Sequence, residues 1–116
     1  MKRLFIYLCA LFLVSCGNLT DDSNSKKVEL EDKFETFTNE FVENLWQQNP
    51  AWATYEGYHK YDSVLVIPDE ANRSSQLGFA SEWLGKLALI DSSSLSPNEL
   101  IDYLLIRDYL TSVSFS

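Results

Sequence analysis

"FETFTNEFVENLWQQNPAWATYEG", residues 34–57, decides the fold. Phe34, Phe37, Phe41 and Leu45 recur at steps of three and four, the spacing of one helix face. Val42 and Trp46 widen that stripe, while Glu35, Glu40 and Glu43 fall largely off it. The pattern predicts a helix over about Glu31 to Gln48, and an aromatic stripe at this spacing reads as core and not as a cofactor box. Asn49-Pro50 then breaks and restarts the chain. Asn is a good N-cap, and Pro suits the first helical position because its missing N–H would have had no partner there. A short second helix follows, about Pro50 to Glu56. Gly57 stands where a left-handed C-terminal cap belongs.

Residues 58–68 read as a connector. Its "VLVI", Val64 to Ile67, is β-branched; with no second convincing strand it is expected as an extended segment pressed into the core, ended by Pro68. A third helix is predicted over about Asp69 to Ile90, with Leu77, Ala80, Trp83, Leu84, Leu87 and Ile90 inward. Gly78 and Gly85 weaken it by about 1 kcal/mol each relative to Ala, unless they serve close helix approach. "DSSSLSPNEL", 91–100, is a turn and a helix start: Ser96 at the cap, Pro97 next, Glu99 three beyond, a capping box. The fourth helix is expected to turn Leu100, Ile101, Leu104, Leu105 and Tyr109 inward and Asp102 and Asp108 to solvent. The fold class is therefore all-α, three long helices and one short, with no internal repeat. No stop signal other than Ser112 and Ser114 follows the last helical stretch, so the chain is expected to be the N-terminal portion of a longer protein.

The first thirty residues are of another kind. Lys2 and Arg3 precede eleven apolar residues, Leu4 to Val14. That run is too short for a membrane span, which needs about 20, and reads as a secretory signal. It ends in "LVSC", Leu13-Val14-Ser15-Cys16, which resembles the bacterial lipoprotein box. The expected organisation is a signal at 1–15, a lipidated Cys16 with a flexible tether at 16–28, and a helical portion at 29–116. Each buried CH₂ of an acyl chain contributes roughly 0.8 kcal/mol, so two or more chains hold a protein on a membrane durably. Cys9 would leave with the signal, so no pair of free cysteines remains for an intrachain disulfide. Gly17 and Asn18 follow Cys16 where an inner-membrane retention signal would carry aspartate, which favours the outer membrane, facing the periplasm or the cell surface. The chain has nine basic and seventeen acidic residues, net −8; losing Lys2 and Arg3 takes it to −10. That balance excludes a basic nucleic-acid footprint, and leaves membrane attachment to the lipid.

The chemistry is sparse. His59 is the single histidine, and a zinc site needs three or four His, Cys or acid ligands. H-E-x-x-H, a Gly-rich phosphate loop and a G-x-S-x-G elbow are all absent, so no catalytic, cofactor-binding or metal residue is assigned. What stands out is the corner at 46–62, where Trp46, Trp52, Tyr55, Tyr58 and Tyr61 gather around His59 and Asp62. One reading is an aromatic cleft that binds glycan or peptide, with His59 as a substrate or proton contact. The preferred reading is a packed corner, with tyrosine hydroxyls bonded at its rim and His59 bonded to Asp62 or to a helix-end carbonyl.

"FVENLWQQNPAWATYEGYHKYDSVL", 41–65, resembles the N-terminus of the domain of unknown function 885 family: an aromatic-rich helix, Asn49-Pro50, Ala53-Thr54, Gly57, then His59-Lys60-Tyr61-Asp62. "LALIDSSSLSPNELIDYLLIRDYL", 87–110, is similar to the next family segment. The resemblance covers about Phe34 to Leu110. It implies a long, all-helical, often lipid-anchored parent resembling a zinc metallopeptidase, whose metal motif His-Glu-Gly-Tyr-Pro-Gly-His is not in this chain. In such enzymes the histidines hold the metal and the glutamate activates its water. Zinc and a peptide substrate are thus expected of the longer parent, and this portion is expected to frame the cleft and to be inactive alone.

Overall fold

The computed structural model describes residues 21–116. Within that span four helices follow one another: α1 Asp21–Gln48, α2 Pro50–Tyr55, α3 Glu70–Leu87 and α4 Pro97–Ser114, with 3₁₀ turns at His59–Tyr61 and Ser92–Ser94. Three are long and one is short, and no strand occurs among the described residues. The predicted signal at 1–15 and Cys16 lie outside the described residues.

The stripe on α1 forms one wall of the core: Phe34, Phe37, Phe41 and Leu45 are all buried. Trp83 of α3 meets it edge-on, its ring 5.4 Å from Phe37 and 5.5 Å from Phe41. Phe79, Ala80 and Leu87 of α3 and Leu110 of α4 complete the cluster. Edge-to-face packing sets the electron-rich ring face against a positive edge, which stabilises such pairs beyond the area they bury.

The helix ends follow local chemistry. At the end of α2, Gly57 adopts φ +87°, its N–H donates to the Thr54 carbonyl at 3.0 Å and the Tyr58 N–H to the Ala53 carbonyl at 2.8 Å. Those two bonds and the left-handed glycine are the Schellman motif. Asp69 caps α3 by accepting from the Asn72 N–H at 2.8 Å. At α4 the capping box is complete: Ser96 Oγ accepts from the Glu99 N–H, and Glu99 Oε2 accepts from the Ser96 N–H at 2.7 Å. Asn49 is not the expected side-chain N-cap. It stands before α2 without a capping bond, and its Nδ2 donates back to the Leu45 carbonyl at 3.0 Å, so it finishes α1 instead.

Four further differences from the sequence reading have physical causes. First, α1 starts at Asp21, so residues 21–28 of the expected tether are helical. Once a helix is nucleated each added residue brings a bond at little cost, and the exposed pair Lys33–Glu29 at 2.7 Å spans one turn there. Second, Val64, Leu65 and Ile67 are exposed and not pressed into the core, where phenylalanine and tryptophan rings fill the space. Third, on α3 Leu77 is exposed while Phe79 takes the inner position, within ring contact of Phe41 and Trp83. Fourth, α4 is rotated from expectation. Tyr103, Ile106, Tyr109, Leu110 and Val113 pack inward, whereas Leu100, Ile101, Leu104 and Leu105 are exposed.

Candidate functional site

The corner at 46–62 forms because two tight reversals follow α1 within nine residues. Pro50 starts α2 at once, and Gly57 turns the chain back so that the 3₁₀ turn His59–Tyr61 lies beside α1. The aromatic residues grouped in the sequence separate into two sets. Trp46 and Trp52 meet edge-on at 5.2 Å, and Tyr109 of α4 joins Trp52 at 6.2 Å. Tyr58 and Tyr61 pair on the other side at 6.2 Å. Tyr55 is 86% exposed and belongs to neither set.

The organising residue of the second set is Glu43. The Tyr58 hydroxyl donates to its Oε2 at 2.7 Å, and the Lys60 ammonium and the Tyr61 hydroxyl both donate to its Oε1. Three donors from the connector thus converge on one carboxylate of α1. Hydrogen bonds from Lys60, Tyr61 and Tyr58, in that order, hold the Glu43 carboxyl at about 2, against 4.5 for a free glutamate. The hydrogen bond to Glu43 raises Lys60, Tyr58 and Tyr61 in turn. A carboxylate with three donors is favoured in its charged form.

A second polar cluster sits beside it. Asp62 Oδ1 accepts from the Thr54 hydroxyl at 2.6 Å, and His59 Nδ1 lies 2.9 Å from Asp62 Oδ2. The Thr54 bond, then the contact with His59, lowers the Asp62 carboxyl below its usual range. The Thr54 hydroxyl also lies 3.0 Å from the Pro50 carbonyl. His59 itself is exposed, with its side chain two-thirds open to solvent. The arrangement fixes α2 against the connector at Thr54–Asp62 and the connector against α1 at Glu43.

A cleft of about 540 Å³ opens between this corner and the start of α3, with Gln48, Trp52, Asp62, Leu65, Asn72 and Gln76 on its walls. Of the sequence-proposed corner residues, Trp52, Tyr61 and Asp62 line it, whereas Tyr55, Tyr58 and His59 do not. Among the described residues, no group of three His, Cys, Asp or Glu side chains is placed to hold a metal ion. His59 and Asp62 offer two donors engaged with each other, which is not a zinc donor set. Also among the described residues, no helix is long and apolar enough to cross a membrane.

Glu43 is the feature of the corner that the sequence does not reveal. It lies off the apolar stripe of α1, and its partners stand fifteen to eighteen residues later, a distance to which helical periodicity is blind.

No protein-family model and no curated protein matches the chain. Among solved structures it is similar to one described as "a putative lipoprotein of unknown function from Shewanella oneidensis", with a TM-score of 0.69 and 44% sequence identity. The match covers 71% of this chain and 15% of that one, so the chain spans a small part of that protein's length. That neighbour fits the lipoprotein reading of "LVSC".

Proposed function

We propose that this chain is the N-terminal helical segment of a longer membrane-tethered lipoprotein, with Cys16 as the lipid attachment point. In this reading it frames the substrate cleft of a parent of the domain of unknown function 885 kind and carries no catalytic group itself. The observation behind it is the likeness to the Shewanella lipoprotein, at 44% identity over only 15% of that protein's length. The ordered resemblance at 41–65 and 87–110 supports the parent family, and Gly17-Asn18 supports the outer membrane. The polar residues of the corner support a framing role, because Glu43 bonds to Tyr58, Lys60 and Tyr61, and Thr54 to Asp62, across α1, α2 and the connector. The described residues do not fit zinc, so zinc and peptide hydrolysis belong to the rest of such a parent. The test is a comparison of residues 17–116 with the full gene product: zinc-dependent peptidase activity is expected of the second and none of the first. Activity in residues 17–116 alone would overturn the reading. Incorporation of labelled fatty acid, lost in Cys16→Ala, is the expected result for the anchor.

The cleft favours a second reading, a non-catalytic lipoprotein that binds glycan or peptide across Trp52, Tyr61 and Asp62. Saturable quenching of tryptophan fluorescence by oligosaccharides or peptides, abolished in Trp52→Leu without loss of helicity, would select it.

A further inference from the structure

Among the described residues, the stripe Leu100, Ile101, Leu104 and Leu105 on α4 is a regular apolar surface that the fold leaves uncovered. Ile101 and Leu105 are 56% and 63% exposed. Meanwhile the opposite side of the same helix, Tyr103, Ile106, Leu110 and Val113, already packs on the core. A helix that is apolar on both sides is characteristic of a buried position, and α4 does not qualify as a membrane span. Leu100–Leu104 and Ile101–Leu105 are two adjacent i, i+4 rows, the ridges and groove against which a second helix packs.

We infer that this outer face of α4 is a docking surface for a helix of the same polypeptide beyond residue 116. The inference rests on the reading of the chain as a segment of a longer lipoprotein. Two observations select this occupant. The similar Shewanella protein is far longer than the matched portion, which is 15% of its length, so a parent of that size has further polypeptide to cover the face. A second copy fits poorly on charge. Asp102 and Asp108 stand exposed along α4 at the stripe, with Arg107, the one cation of that helix, paired to Asp108, while Glu99 is held in the capping box away from it. A two-fold pairing brings the same patch against itself and would set acids against acids. The occupant is therefore expected to bring a basic rim around an aliphatic centre, which pairs with those acids at the edge of the contact.

The test places single cysteines in the full gene product at Leu105→Cys, Ile101→Cys and Asp102→Cys and follows maleimide labelling by peptide mass spectrometry. The two stripe positions are expected to label at least about tenfold more slowly than Asp102→Cys, as for a face open less than a tenth of the time. In residues 17–116 alone all three should label at similar rates. Equal rates in the full product overturn the docking surface but leave the parent reading standing. Concentration-dependent protection in residues 17–116 alone overturns it in favour of a second copy. A gene that stops at Ser116 overturns both the docking surface and the reading beneath it.

Discussion

Leu110→Ala and Leu105→Ala, made in residues 17–116 without the lipid, separate the two sides of α4. Leu110 has no exposed surface and sits in the cluster with Phe41, Trp83 and Leu87. Removing a fully buried leucine side chain costs its transfer free energy and leaves a cavity, about 2–5 kcal/mol together. The packing at Leu110 is aromatic and stiff on one side. However, α4 has an open outer face, so the helix can settle partly into the space, and about 3 kcal/mol is the working figure. A domain of about a hundred residues has roughly 5–15 kcal/mol in total, so this is a large fraction. At about 4–8 °C per kcal/mol for a domain of this size, the melting temperature should fall by roughly 12–24 °C. Leu105 is 63% exposed, and a surface truncation there should stay within about 0.5 kcal/mol. Thermal melts followed by circular dichroism measure both. Equal losses, or a larger loss at Leu105, would refute the orientation of α4 and the exposed stripe together.

Two other perturbations address the corner. Glu43 has its carboxyl depressed from 4.5 to about 2 in the folded chain, so it contributes stability that is present above the unfolded value and lost as pH falls from about 4.5 towards 2. Glu43→Gln should flatten that part of the acid melting profile, and a profile that matches the unaltered chain would show that the three-donor hub does not form. Gly57→Ala should cost about 1–2 kcal/mol: an added Cβ meets nothing within 4 Å, so the loss comes from φ +87° alone. Gly57→Asn should recover part of it, and indifference to both would contradict the left-handed cap.

The parts of the fold that were legible in the sequence are those set by local rules. The stripe Phe34, Phe37, Phe41 and Leu45 needs no partner to be read, because its spacing alone assigns the face. Gly57 and Ser96 act within three residues of themselves. The parts that were not legible depend on which of two equivalent choices the tertiary structure makes. On α4 two apolar stripes lie on opposite sides, and periodicity cannot say which of them meets Phe41 and Trp83. Tyr109 and Leu110 fit the space beside the Phe41 ring, with Tyr109 edge-on at 6.5 Å. Once that side of α4 faces the core, helical geometry carries Ile101 and Leu105 to the outside. The cleft was half legible: Trp52, Tyr61 and Asp62 line it, but Gln48, Asn72 and Gln76 come from α1 and α3 and carry no local sign of a shared wall.

The lone histidine beside an acid is the feature that most invites a catalytic interpretation, but neither carboxylate of the corner is tuned as a general base. A general base works best when its proton affinity is close to that of the medium, and carboxylates recruited for that work are raised by burial or by a like charge. Asp62 is moved the other way, by a Thr54 hydroxyl and then by His59, and both its oxygens are already engaged. Glu43 is moved further in the same direction. These are carboxylates held in the charged form by donors that cross from one segment to another, which is what a polar clamp requires. In the folded chain the His-x-Tyr-Asp stretch ties segments together: Gly57 reverses the chain, Tyr58, Lys60 and Tyr61 grip α1 through Glu43, and Asp62 grips α2 through Thr54. His59, exposed and bonded only at its Asp62 side, is the member of the stretch whose replacement the clamp should tolerate best.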